Sequence, residues 1–200
     1  MKTPHAGAIT PRREAKIRQA LLYRQKDLTL ALCNIHDPHN VSAIFRSCDA
    51  FGVPEAHLYY TDTAFPSLGA KSSASARKWV KTIRHRQLES LAAALRGKNM
   101  RLLAANCNPD ARPIYEFDLT LPTAFMMGNE RRGVDAEIMG ISDAEVYIPM
   151  YGMIQSFNVS VAAALLLAEA SRQRKDAGLY GRPTYSEQEF AALYAEWICK

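Results

Sequence analysis

The sequence predicts an α/β protein in which a mostly parallel sheet is covered by helices on both faces. Short apolar runs that favour β structure alternate with segments of helical periodicity along the whole chain. The length of 200 residues, with 48% hydrophobic and 22% charged residues, suits one self-sufficient core. No internal repeat interrupts this alternation. No GxGxxG fingerprint follows the first strand and no P-loop signature occurs, which disfavours those two nucleotide-binding classes.

The composition limits the classes of function. A net charge of +5 and a pI near 9.1 permit nucleic-acid binding without establishing it. The longest apolar run, at 159–168, is too short to span a bilayer, and the N-terminus shows no apolar signal segment. The four cysteines form no CxxC pair, and His36 and His39 lie in a turn without a third ligand type. We therefore expect a cytoplasmic protein that uses neither a membrane nor a metal.

The N-terminal segment is basic. Residues 1–26 contain seven Lys or Arg and one acid, and Thr10 followed by Pro11 predicts the start of a helix. Two interpretations stay open, a solvated surface helix or an arm that contacts phosphate. The second interpretation would use Arg12, Arg13 and Lys16.

An apolar run at 28–35 predicts the first strand, and a helix follows from about Asn40 to Phe51 and stops at Gly52. The apolar residues of this helix recur at helical spacing and define its buried face. Arg46 falls on the opposite side at 100° per residue. It therefore points toward solvent, a partner chain or a cleft.

The middle of the chain continues the pattern with a strand at 56–62. Residues 67–86 carry six Lys or Arg and no acid, which predicts a mobile loop with a short strand at 79–83. This loop is either a solvated surface or a nucleic-acid contact, in which Arg77 and Lys78 would bind phosphate. A helix is expected at 87–99 with a left-handed stop at Gly97, and a strand at 100–107.

The last third holds the most informative polar residues. A strand at 123–128 ends in GNERRG, where Glu130 could be an acid-base group, a ligand anchor or a structural acceptor. A helix at 134–141 and a strand at 144–149 precede a compact loop and a helix that opens near Ser156. Ser156 is either the N-cap of a buried helix or part of a ligand site. A linker from Gly181 leads to a last helix with a capping box at Ser186 and Glu189.

Three separated blocks carry a family resemblance. They are NVSAIFRSCDAFG at 40–52, FMMGNERRGV at 125–134 and IPMYGMIQSFNVSVAAALLL at 148–167. In this order and spacing they resemble the motifs of the SpoU/TrmH family of SPOUT RNA methyltransferases. The resemblance implies an α/β trefoil knot near residues 125–170. It also implies a basic helical arm at 1–26, a methyltransferase domain at 27–176, and a linker with a C-terminal helix at 177–200.

The resemblance further implies that S-adenosyl-L-methionine sits in the knot of a homodimer, with the active sites at the subunit interface. Its adenosine would contact Ala105, Gly128, Ile148 and Phe157, the last standing where the family commonly has leucine. The implied catalytic residues are Asn40, Arg46, Glu130, Ser156 and Asn158.

Members with similar flanking segments methylate the ribose 2′-hydroxyl of guanosine 18 in the tRNA D-loop, and this is the expected function. The short segment before the first strand favours this compact tRNA form over ribosomal-RNA enzymes, which remain the alternative. Two other classes are an RNA-binding protein without activity and a nucleotide-dependent oxidoreductase. The intact motifs disfavour the first, and the missing glycine fingerprint disfavours the second.

Overall fold

The computed structural model of the chain describes residues 9–66 and 76–200. The first part of the predicted basic loop, at 67–75, lies outside the described residues. The described helices are α1 Pro11–Leu22, α2 Pro38–Ala50, α3 Ala76–Trp79, α4 Leu88–Arg96, α5 Ala136–Ile141, α6 Val159–Asp176 and α7 Glu187–Ile198. The strands are β1 Leu28–Cys33, β2 Glu55–Tyr59, β3 Lys81–His85, β4 Arg101–Ala105, β5 Arg112–Pro113, β6 Thr123–Met127 and β7 Ala144–Tyr147.

The described strands form one seven-stranded sheet in the order β3-β2-β1-β6-β4-β7-β5. Every pairing in this sheet is parallel. The predicted α/β fold with a mostly parallel sheet is therefore confirmed. The order brings the carboxyl ends of β1, β6, β4 and β7 side by side, and ligands bind at such an edge in open α/β sheets.

Helices cover both faces of the sheet, as the sequence predicts. Leu28, Leu30 and Leu32 of β1 belong to the apolar cluster that also contains the buried side chains of α2 and α6. Ala31 and Cys33 point the other way, into the cluster formed with α4 and α5. Alternate residues of this buried parallel strand thus pack into the apolar clusters on opposite faces of the sheet, which explains why the sequence of β1 is continuously apolar.

Two helix starts differ from the sequence prediction. α2 begins at Pro38 rather than Asn40, because the Asp37 carboxylate caps it by accepting from the His39 N–H at 2.8 Å. α6 begins at Val159 rather than near Ser156, and Asn158 is its N-cap. These shifts leave Asn40 in the first turn of α2 and Ser156 in the loop before α6.

One predicted helix end is confirmed and another is wrong. Gly52, after α2, has φ +77°, and a Cβ there would lie 2.5 Å from the Tyr23 carbonyl oxygen. Gly97, after α4, has φ −61°, so it is not the expected left-handed stop. The left-handed residue is Asn99, with φ 55°, two positions later.

Two strands were also placed imperfectly. The strand predicted at 79–83 lies at Lys81–His85, because Ala76–Trp79 forms a short helix instead. The two-residue strand Arg112–Pro113 lies in a stretch for which no strand was predicted. Proline cannot donate to a ladder, so a sequence pattern gives little sign of such a strand.

The helices nearest the termini pack on each other through Ile17, Leu21 and Trp197. Thr10 caps α1, and Ser186 and Glu189 form the predicted capping box of α7. Within the described ranges, no helix combines the length and apolar character needed to cross a bilayer.

Candidate active site

A cavity of about 470 Å³ opens at the carboxyl ends of β4, β6 and β7, against the N-terminal half of α6. This volume falls within the range of small-molecule sites. Its lining comes from the ends of the three strands, the loops that follow them and α6. The lining residues are Ala105–Cys107, Met127–Arg131, Gly133, Val146–Ile148, Met150, Gln155–Val159, Ala162 and Leu166.

The four residues expected to hold the cofactor all line this cavity. Ala105 ends β4, Gly128 follows β6 and Ile148 follows β7. Phe157 approaches from the loop that leads into α6 and is half-buried. The structure therefore brings together positions up to 52 residues apart in the chain, and Val146, Ala162 and Leu166 add apolar side chains to the same cavity.

Gly128 is required by a close approach of two backbone segments. A Cβ at this position would lie 2.3 Å from the carbonyl carbon and oxygen of Gly133 and 2.4 Å from the Val134 nitrogen. Asn129 and Gly133 exchange backbone hydrogen bonds of 2.8 and 2.9 Å, which close the turn. A side chain at 128 would therefore move the turn that carries Glu130.

Glu130 acts as an acceptor for the entry to α2. Its carboxylate accepts hydrogen bonds from the backbone N–H of His36 at 2.8 Å and of Asp37 at 3.1 Å. The Asn40 side chain donates a third bond of 2.9 Å. Burial opposes ionisation of Glu130, but these donors outweigh it and lower the pKa of the carboxyl. Glu130 is thus a charged carboxylate that brace-like hydrogen bonds connect to the start of α2.

Asn40 and Asn158 extend this brace to the third sequence block. The Asn158 side-chain amide donates to Asn40 Oδ1 at 3.1 Å. Asn158 Oδ1 also accepts from the backbone N–H of Ser160 at 2.9 Å, which caps α6. A line of polar contacts therefore runs from Glu130 through Asn40 to Asn158, and it joins all three blocks.

Arg46 and Ser156 differ from the braced residues. Arg46 is exposed on α2, and within the described ranges its side chain has no hydrogen-bond or ion-pair partner. The prediction that it faces away from the core is confirmed. Ser156 is exposed at the rim of the cavity, whereas neither Arg46 nor Asn40 lines it. Arg46 is thus an exposed cation on α2 that can accept an anionic ligand.

The residues expected to contact RNA lie on two helices outside the cavity. Arg12, Arg13 and Lys16 are exposed on α1, and Arg77 and Lys78 are exposed on α3. Arg24, which is buried two residues after the end of α1, donates to the carbonyl of Trp79 in α3 at 3.2 Å. Trp79 itself is half-buried against Trp197, with ring centroids 4.8 Å apart.

Sequence reasoning missed two asparagines beside the site, Asn34 and Asn129. Asn34 adopts a left-handed conformation with φ 52° directly after β1, and Asn129 donates to its carbonyl at 2.6 Å. An asparagine at the carboxyl end of a buried strand was the available signal, since asparagine tolerates this conformation better than most residues. In the described part of the chain, no group of three His, Cys, Asp or Glu side chains is arranged to hold a metal ion.

The chain is similar to known RNA methyltransferases. The sequence model of the SpoU rRNA Methylase family matches residues 27–168. A Thermus thermophilus protein named tRNA (guanosine(18)-2′-O)-methyltransferase is 42% identical over 96% of this chain and 98% of its own length. An Escherichia coli K12 protein of the same name is 42% identical over 87% of this chain and 76% of its own length.

The fold is also that of a solved structure. The crystal structure of the Aquifex aeolicus TrmH/SpoU tRNA modifying enzyme superposes with a TM-score of 0.87 at 35% sequence identity. The match covers 94% of this chain and 95% of that protein. The resemblance thus extends over nearly the whole chain.

Proposed function

The chain belongs to the SpoU rRNA methylase family, and on this premise we propose that it is a tRNA (guanosine(18)-2′-O)-methyltransferase. The observation that carries the proposal is the 42% identity to enzymes of that name over nearly the full length. The donor would be S-adenosyl-L-methionine, and the acceptor the ribose 2′-hydroxyl of guanosine 18 in the D-loop. The reaction would take place in the cytoplasm, where its tRNA substrate is found.

The cavity fits the proposed donor. Its volume of about 470 Å³ and its apolar walls suit a nucleoside, and backbone edges at 105–107 and 128–130 offer polar groups. Ala105, Gly128, Ile148 and Phe157 would hold the adenosine. When bound, S-adenosyl-L-methionine supplies a methyl group that is already activated by the positive charge on sulfur.

Arg46 would act on the acceptor. A guanidinium stays protonated, so it is a poor proton acceptor but a good anion ligand. We assign Arg46 to binding an RNA phosphate and to stabilising the negative charge that develops on the 2′-oxygen. The proton would pass to a phosphate oxygen or to water. Ser156, exposed at the rim of the cavity, would orient the ribose.

Asn40, Glu130 and Asn158 would brace these groups. Their hydrogen bonds of 2.9 and 3.1 Å connect the start of α2, the turn after β6 and the start of α6. Such fixed positions matter, because an in-line transfer loses rate when its partners are displaced by about 1 Å. None of the three would move a proton.

Most of the RNA would be bound by basic residues outside the cavity. The basic arm at 1–26 and the exposed Arg77 and Lys78 would bind phosphates around the methyltransferase domain at 27–176. The C-terminal segment at 177–200 would hold the arm in place, since Lys26 pairs with Glu189 at 2.6 Å and Glu14 accepts from Tyr194 at 2.8 Å.

The chain would work as a homodimer with a trefoil knot near residues 125–170, as the family resemblance implies. Exposed apolar residues next to the cavity support the dimer. Tyr151 and Met153 are 94% and 99% exposed, and Val161 and Leu165 are exposed one helical turn apart on α6. Exposed apolar side chains of this size favour a protein partner, and we assign them to contact with a second copy of the chain.

Methyl transfer from labelled S-adenosyl-L-methionine tests the proposal. Bulk bacterial tRNA and ribosomal RNA are offered in parallel reactions, each with and without the enzyme. Labelling of tRNA alone is the expected result. Labelling of ribosomal RNA alone would retain the chemistry but reject the substrate. Labelling of neither, with the donor bound, would reject the activity on these RNAs.

A further inference from the structure

Asn34 occupies an unusual position between the sheet and the site. It follows β1 directly, its φ is 52° and only 5% of it is exposed. A left-handed conformation is unfavourable for most side chains, although asparagine accepts it more readily than others. A buried polar residue in this conformation requires compensating contacts.

The side chain of Asn34 makes three hydrogen bonds. Its Nδ2 donates to Thr61 Oγ1 at 3.1 Å and to Asp135 Oδ2 at 3.2 Å. Its Oδ1 accepts from the Thr61 backbone N–H at 2.9 Å. These partners fix which way the side-chain amide points, because the two acceptor oxygens of Thr61 and Asp135 face its nitrogen and the Thr61 N–H faces its oxygen. The side chain ties the ends of β1 and β2 to the N-cap of α5.

The backbone of Asn34 makes two further contacts. Its N–H donates to the Tyr59 carbonyl at 2.8 Å, and its carbonyl accepts from Asn129 Nδ2 at 2.6 Å. Asn129 is the residue between Gly128, which lines the cavity, and Glu130, which accepts from His36 and Asp37. Two consecutive residues of the turn after β6 thus hold the segment 34–37 from one side.

We propose that Asn34 is a positioning residue for methyl transfer, which fixes the turn 128–134 against the segment that starts α2. Its side chain anchors the segment through Thr61 and Asp135, and its left-handed backbone presents the carbonyl to Asn129. Glu130 and Asn40 are thereby placed to brace Asn158. This inference rests on the proposed function, although the contacts that it describes can be tested separately.

Asn34→Gly is the variant that tests it, because glycine keeps the left-handed backbone and removes only the side-chain contacts. Asn99→Gly is the matched control. Asn99 has φ 55° in the loop after α4 and is exposed, so it shares the conformation, and its side chain makes no hydrogen bond within the described ranges. We expect kcat for tRNA to fall by about 100-fold in Asn34→Gly, with the KM for tRNA within about twofold. Asn99→Gly should match the wild type.

Hydrogen exchange of the same variants gives a readout that does not depend on activity. Backbone amides of 36–40 and 129–134 should exchange faster in Asn34→Gly, and the amides of α4 and β4 should not. If Asn34→Gly is too unstable to purify, Thr61→Ala removes one acceptor from the Asn34 amide and should give an intermediate loss of kcat with the same exchange pattern.

Three outcomes separate the two claims. A wild-type enzyme that methylates tRNA, with Asn34→Gly unchanged in kcat, would overturn the inference and leave the proposed function intact. Faster exchange spread over the whole chain, with kcat lost only in proportion to unfolded protein, would also overturn it. A wild type that methylates no RNA would reject the proposed function, and the local exchange pattern would still decide whether Asn34 holds the turn.

Discussion

Arg46 stands apart at the scale of single residues. The other proposed catalytic residues of the second and third blocks lie at the cavity, and Asn40 is hydrogen-bonded to Glu130 and Asn158. Arg46 has no side-chain partner among the described residues and lies on the exposed face of α2. A cation that the fold does not use is available for a substrate anion, and its role can be altered with little effect on stability.

Arg46→Lys should reduce kcat by about 100-fold, because lysine keeps the charge but loses the planar fork that contacts a phosphate and the developing alkoxide together. Steady-state kinetics with saturating tRNA measures this. The melting temperature should stay within about 1 °C, since an exposed surface substitution changes stability little. Near-normal turnover of the lysine variant would exclude the fork-shaped role of Arg46.

The sequence predicted the exposed position of Arg46 correctly but did not identify the N-cap of α6. The helical period placed Arg46 away from the core, because that side is set by local geometry. The N-cap of α6 was not fixed by local preference, since both Ser156 and Asn158 are good caps. Asn158 takes the position, and its contact with Asn40, 118 residues earlier, could not be read from a local pattern.

At the scale of elements, the turn after β6 decides the shape of the cavity. Gly128→Ala should weaken binding of S-adenosyl-L-methionine by about tenfold, because the added methyl group meets backbone atoms at 2.3 Å and forces strain of about 1–3 kcal/mol. Isothermal titration of the donor measures the loss.

Gly140→Ala is the control for that variant. Gly140 lies in α5, and among the described residues outside its own helix backbone a Cβ there would meet no atom within 4 Å. Alanine should stabilise this helix by about 0.5–1 kcal/mol and leave donor binding unchanged. Equal affinities for the Gly128→Ala variant and the wild type would show that the turn does not shape the site.

Most elements could be predicted, but their pairing could not. Period and turn residues located the main strands and helices within a few positions. The position of β6 between β1 and β4 depends on contacts between segments about 20 to 100 residues apart. The cavity follows from that order, so motifs could indicate its residues but not its shape or the role of Asn34.

At the scale of the whole molecule, the apolar surface beside the cavity should form the dimer interface. Replacing both Val161 and Leu165 by glutamate should convert the dimer to a monomer of 22.3 kDa, since four charges would face each other across the two-fold axis. Light scattering after gel filtration gives the mass. Ile198→Glu, at an exposed apolar site on α7, should remain dimeric, and a monomeric wild type would contradict the assignment.

A buried histidine pair should make stability depend on pH. His57 Nδ1 and His85 Nε2 are 2.9 Å apart in stacked rings, and the outer nitrogens lie 3.4 Å from Glu55 and 2.9 Å from Ser90 Oγ. The short contact needs one N–H and one bare nitrogen, so protonating both rings would break it. Burial, together with the neighbouring His57, lowers the pKa of His85.

The lowered pKa of His85 fixes the direction in which stability changes with pH. The unfolded chain binds a proton at His85 near pH 6.5, whereas the folded chain resists it, so stability is present above that pH and is lost below it. We expect the melting temperature to be lower at pH 5.5 than at pH 7.5, and each kcal/mol of stability that is lost corresponds to about 2–4 °C in a domain of this size.

Calorimetry at the two pH values also separates the pair from other groups. His85→Gln should be less stable than the wild type at pH 7.5 but should lose less stability on acidification. His39→Gln, which removes an exposed imidazole, should keep the fall. An identical fall in His85→Gln and the wild type would assign the pH dependence to another group.

The most direct test of the central claim maps the methyl group on a single tRNA. A tRNA carrying guanosine 18 is compared with the same tRNA carrying 2′-deoxyguanosine 18. After the reaction each tRNA is digested with a nuclease, and the masses of the fragments are measured by mass spectrometry. The proposal predicts one added methyl on the ribose of nucleotide 18 in the first RNA and none in the second. Methylation of both RNAs, or of a different nucleotide, would contradict it.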